Sequence, residues 1–87
     1  IEIHMKYNDQ WNRYQKALFF DQQGDWSKAH NLVDGHPGKE AAHIHAYLHR
    51  KEGDQWNAGY WYRQANKEMF VGSLEEEWTY LWELFNK

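Results

Sequence analysis

The chain has 87 residues, enough for one domain that buries only about 60–65% of the surface its unfolded chain exposes. Three Ile, six Leu and two Val stand beside six Trp, six Tyr and four Phe, so a core must be built from rings and alanines. Zero cysteines exclude disulfide and thiolate chemistry, a net charge of −3 disfavours nucleic acid, and no apolar run approaches the roughly 18 residues of a membrane span.

Residues 1–7 read as an N-terminal extension without the charged and apolar regions of a signal peptide. Met5 behind His4 is consistent with a native start preceded by a non-native remnant at 1–4. A single helical domain is expected over 8–87, in the cytoplasm, as a hairpin at 8–34, a hairpin at 38–67 and a capping helix at 73–86. The first helix is predicted over 8–23, with Trp11, Tyr14 and Leu18 on one side and Ala17 and Phe20 beside them, the spacing of an amphipathic helix. Gly24 suits the left-handed residue after a helix end, and Asp25 suits the cap of the next. The second helix, 26–33, turns Ala29, Leu32 and Val33 inward. Asp34-Gly35-His36-Pro37-Gly38 is the strongest breaker in the chain.

The third helix is expected over 39–52 and ends at Gly53, with Asp54 as the following cap. The fourth covers 55–67, with Ala58, Trp61, Tyr62 and Ala65 at three- and four-residue spacing. After Val71-Gly72, Ser73-Leu74-Glu75-Glu76 offers a capping box ahead of a final helix whose stripe is Leu74, Trp78, Leu81, Trp82 and Phe85. Glu75, Glu76 and Glu77 read as a solvated first turn that complements the helix dipole. No segment alternates with period two, so the expected class is all-α.

Aligning Gly24-Asp25 on Gly53-Asp54 gives an offset of 29 residues. Ala17 then falls on Ala46, Phe20 on His49, Ala29 on Ala58 and Val33 on Tyr62. Small residues recur where two helices would cross closely, so each unit is a helix–turn–helix hairpin. The pattern resembles the tetratricopeptide repeat, best in the second unit, through Ala46, Gly53-Asp54, Ala58, Tyr62 and Ala65. The first unit departs from it with Arg13 and Lys16 at large apolar positions and His36 at a late alanine. The resemblance implies two stacked hairpins with the last helix as a solvating cap or with a second chain completing the array. The block His45-Ala46-Tyr47-Leu48-His49-Arg50-Lys51-Glu52-Gly53-Asp54, continuing into Asn57-Ala58 and Tyr60-Trp61-Tyr62-Arg63, also resembles a family of small uncharacterised bacterial proteins.

Chemistry concentrates in the same block. His45 and His49 lie four apart with Glu52 three further, which stacks all three near one helix face. His30 on the second helix can approach this face where the hairpins stack, so His30, His45, His49 and Glu52 are candidate ligands for a divalent metal. Ala46 stands where a zinc-protease helix carries its catalytic glutamate, so proteolysis has no support. A small organic ligand or a pH-sensing role at His45, His49 and Glu52 is a further reading; the same histidines occupy packing positions, and filling the inter-helix groove is the simpler alternative. His43 lies about 160° round the helix from His45 and is expected at the surface.

Three consecutive rings, Tyr60-Trp61-Tyr62, cannot share one face. Tyr62 is assigned to the hairpin interface, Trp61 to a contact with the last helix near Trp78 or Trp82, and Tyr60 to the surface or groove. Asn57 either bonds a backbone group of the adjacent hairpin or a bound peptide's main chain. A protein or peptide partner, or a second copy of the chain, would lie in a groove lined by His45, His49, Asn57 and Tyr60. There is no Gly-rich phosphate loop, and Ser27 and Ser73 stand near helix starts, so the reading leans away from an enzyme.

Overall fold

A computed structural model of the chain describes residues 5–86; the remnant expected at 1–4 and the terminal Lys87 lie outside them. Five helices follow in order: α1 (Arg13–Gln22), α2 (Trp26–Val33), α3 (Lys39–Lys51), α4 (Gln55–Gln64) and α5 (Leu74–Phe85). Among the described residues there is no strand, and no helix is long and apolar enough to cross a membrane. The all-α expectation holds.

Local chemistry sets the boundaries. α1 begins five residues later than expected because Asn12 and Gln15 form a capping box, each side chain bonded to the other's backbone N–H. Asp25 and Asp54 cap α2 and α4 by accepting from Lys28 and Asn57 backbone N–H groups. Ser73 and Glu76 form the expected box at α5. α4 ends at Gln64 rather than at 67, because Asn66 takes the left-handed conformation (φ 58°) that closes a helix.

The 29-residue repeat is literal in the backbone. Gly24 and Gly53 adopt φ 88° and 87°, values that favour glycine. In the first turn Gly24 N–H donates to Asp21 and Asp25 N–H to Phe20; in the second, Gly53 donates to Arg50 and Asp54 to His49. Each turn folds one helix back on the previous one, so α1 packs on α2 and α3 on α4. Ala17, Ala29, Ala46 and Ala58 are all fully buried, and their missing side chains let the paired backbones approach.

α3 is the centre of the molecule. It packs against α1, α2, α4 and α5, and every residue from Ala41 to Leu48 is buried. Its Ala41, Ile44, Tyr47 and Leu48 join Leu18, Val33, Trp78 and Leu81 in the main core, while Ala46, Ala58 and Tyr62 form a second cluster. α5 covers the α1–α3 side, where Trp78 Nε1 donates to the Leu18 carbonyl at 2.9 Å.

The last turns of α3 also hold two buried carboxylates. Asp21 accepts from Tyr47 Oη at 2.7 Å and Lys51 Nζ at 2.8 Å. Glu77 accepts from Tyr62 Oη at 2.5 Å and Arg50 Nη1 at 2.9 Å, and Arg50 Nη2 also reaches the Gly72 carbonyl. The expectation of a solvated Glu77 is therefore corrected: its side chain is fully buried, because it falls on the Leu74–Trp78–Leu81 side of α5. Burial pushes the Glu77 carboxyl above its ordinary range against the opposing pull of Tyr62 and Arg50. Burial beside Asp21 raises the Tyr47 phenol as well.

Candidate functional site

Where α2 meets α3, three imidazoles converge. His45 and His49 project from successive turns of α3, and His30 comes from α2 of the other hairpin. His30 Nε2 stands 3.0 Å from His45 Nε2. One nitrogen from each of the three rings lies within 4.8 Å of the others. Two imidazole nitrogens on a tetrahedral zinc, with bonds of about 2.0–2.1 Å, stand about 3.3 Å apart. The His30–His45 pair is already close to that spacing, and the His49 nitrogen lies within 4.8 Å of both.

Tryptophans wall the cluster at both ends. Trp26 stacks on His30 with ring centroids 4.7 Å apart, and Trp61 stacks on His45 at 4.0 Å, both at an interplanar angle of 11°. Trp26 is pinned by its Nε1, which donates to the Leu48 carbonyl at 2.8 Å. His45 and His49 stack on each other at 4.9 Å. Trp61 therefore faces the imidazoles and not Trp78 or Trp82, which corrects the expected seam to the last helix: α4 reaches α5 through Tyr62 and Glu77 instead.

The electrostatics favour a lone pair on the central ring. Burial first, and then the neighbouring His30 and His49, hold His45 down to about 4, with Asp34 opposing. His45 is thus neutral near pH 7, the state in which imidazole binds a metal. His49 Nδ1 donates to Glu52 Oε2 at 2.6 Å. Glu52 is half in solvent, with a side chain 39% exposed against 12% for His49. The Glu52 carboxylate thus fixes the orientation of the His49 ring. A second carboxylate-bearing group, His49, Glu52 and Asp54, adjoins the first.

The remaining candidates do not gather into one groove. Asn57 bonds neither the adjacent hairpin nor open space; its Nδ2 donates to Asp54 Oδ2 at 2.6 Å within the α4 cap. Tyr60 is on the surface, as expected, stacked parallel to Trp56 at 6.5 Å and edge-on to Trp61 at 5.0 Å. Trp56 is 75% exposed. Between His45–His49 and Tyr60 stands the Trp61 ring, so the groove proposed on sequence grounds is filled.

Sequence reasoning missed His43. It was expected at the surface but is 5% exposed, ringed by Tyr62, Tyr80 and Phe85 at 6.1–6.5 Å. The available signal was the length of α3's apolar and small-residue run, which exceeds one helix face. No family model matches the sequence, and no curated protein or solved structure matches it.

Proposed function

We propose that this domain binds a late first-row divalent cation through His30, His45 and His49, with Glu52 orienting His49. The observation that carries the reading is the convergence of three imidazole nitrogens within 4.8 Å, drawn from both hairpins. Nitrogen-only donors suit zinc, nickel or copper over calcium or magnesium. An ion held there would tie α2 to α3 and thereby one hairpin to the other. Three protein ligands leave a fourth position for water or a partner's donor. Ala46 supplies no base to activate that water, so the role is binding and bracing, not hydrolysis. The reading includes a tetratricopeptide-like pairing of hairpins, supported by the repeated turn, and a cytoplasmic setting, supported by the cysteine-free composition.

Thermal unfolding with zinc or nickel tests it. At free metal about 100-fold above the dissociation constant, mass action adds about 2.7 kcal/mol, a rise in Tm of roughly 10–20 °C for a domain of this size. His49→Ala should abolish the rise, and Glu52→Gln, on a half-exposed side chain, should weaken metal binding about 10-fold or more. Absence of a shift with zinc, nickel and copper, or a shift that survives His49→Ala, would overturn the assignment.

A second reading rests on Trp56 and Tyr60. A tryptophan three-quarters exposed and parallel to a neighbouring ring suits contact with a protein partner, including a second copy of the chain. Sedimentation of the metal-free domain should show concentration-dependent association that Trp56→Ser removes; a monomer at every concentration would count against the second copy.

A further inference from the structure

A separate cavity of about 350 Å³ opens between the start of α3, the segment after α4 and the end of α5, lined by Lys39, Glu40, His43, Ala65, Lys67, Leu84 and Phe85. It lies at the opposite end of α3 from the imidazole cluster. Its volume falls at the small end of the range of about 300–1,000 Å³ typical of organic ligand sites.

His43 is the informative residue. It is 95% buried, as 5% of its surface is exposed, yet among the described residues no hydrogen bond is made by its ring. No fully enclosed side-chain nitrogen or oxygen lacks a partner, so the polar edge of His43 is open to the cavity it lines. An imidazole carries at least one N–H donor whether it is neutral or protonated.

The surrounding charge has a sign. Two lysines against Glu40 leave one excess positive charge on the lining. The first turn of α3 adds to it, since Gly38 offers no side-chain cap to the free N–H groups there. The left-handed Asn66 and the Lys67 N–H, which donates to the Tyr62 carbonyl at 2.9 Å, fix the backbone from which Lys67 lines the cavity. Ala65, Leu84 and Phe85 provide apolar wall.

The geometry points to a binding site for a small monocarboxylate with an apolar body, its carboxylate among Lys39, Lys67 and the His43 N–H and its body against Ala65, Leu84 and Phe85. A dianion would leave a charge unmatched, and a neutral molecule would leave both lysines unused. The site is independent of the metal reading.

Benzoate is a suitable probe, with benzamide as its neutral counterpart. Metal-free protein with labelled histidine rings and Leu methyl groups is titrated by NMR. Benzoate should give saturable shifts at His43 and Leu84 with a dissociation constant on the order of 1 mM. Benzamide should bind about tenfold more weakly or worse. Lys67→Gln, at an exposed position, should weaken benzoate about tenfold without altering the rest of the spectrum, and His43→Phe should abolish saturation. Failure to saturate, equal binding of benzamide, or benzoate binding undiminished by Lys67→Gln would each overturn the proposal.

Discussion

Glu77→Ala should cost the domain about 3–5 kcal/mol, the loss typical when one member of a buried ion pair is removed. Glu77 is fully buried and takes hydrogen bonds from Arg50 at 2.9 Å and Tyr62 at 2.5 Å. Without it, the Arg50 guanidinium, whose side chain is 17% exposed, keeps only the Gly72 carbonyl, and the Tyr62 hydroxyl is left without its acceptor. At roughly 4–8 °C of Tm per kcal/mol for a domain of this size, the melting temperature should fall by about 15 °C or more. Glu77→Gln, which keeps one acceptor oxygen for Arg50 and offers its amide N–H to the Tyr62 oxygen, should lose less. The triple change Glu77→Leu, Arg50→Met and Tyr62→Phe should recover much of the lost stability, because it removes the desolvated charges together with their partners. Urea unfolding of the four proteins reads the series. A loss below about 1 kcal/mol for Glu77→Ala would show that the carboxylate is not held as described.

Helices, turns and caps were legible in the sequence because each is written locally. The Gly-Asp turns and the four alanines that line the hairpin crossings recur at one spacing, and the structure gives both turns the same hydrogen bonds. The approach of His30 to His45 and His49 was legible too, since stacking one hairpin on the next brings the second and third helices together. What failed was the rule that a helix has one buried face. α3 touches four helices, so the wheel position that exposed His43 on paper is covered by Phe85 and Tyr62. Glu77 failed for a related reason: three glutamates in a first turn satisfy a dipole argument, yet Glu77 is three residues after Leu74 and four before Leu81, on the apolar stripe. A carboxylate there requires a cation and a hydroxyl from elsewhere, and Arg50 and Tyr62 are 27 and 15 residues away in sequence. Asn12 and Gln15 are a legible capping box that the helical spacing of Trp11, Tyr14 and Leu18 concealed.

The excess of rings over aliphatics has a structural account in the same terms. Trp78, Tyr47 and Tyr62 are buried with the alanines, Tyr and Trp using their polar atoms on Glu77, Asp21 and the Leu18 carbonyl. Trp26 and Trp61 instead enclose imidazoles. Ring stacking of this kind buries the imidazole faces and leaves hydrogen bonding to the ring edges.

Acidification from pH 7 to pH 5 should remove about 2–3 kcal/mol of stability through His43 and His45. In the unfolded chain both titrate near 6.5, whereas in the fold each is held down to about 4. Between those values the unfolded chain takes up protons that the native state refuses, so their contribution is complete above 6.5 and is lost as pH falls toward 4. Burial is the main cause for both; Lys67 adds to it at His43, while His30 and His49 add to it at His45 against Asp34. Taken alone, each ring would account for about 2 kcal/mol over this interval, and solvent at the ring edges reduces the sum. Glu77 acts in the opposite sense: its raised carboxyl costs stability as pH rises, so acidification returns part of it. Urea midpoints of the metal-free domain at the two pH values measure the net loss, and His43→Gln should remove about half of the histidine part. An identical pH dependence in the wild-type chain and in His43→Gln would mean that the fold does not hold His43 neutral. With zinc bound the loss should be steeper, because protons and metal then compete for the same nitrogen of His45, and a chelator should restore the shallower slope.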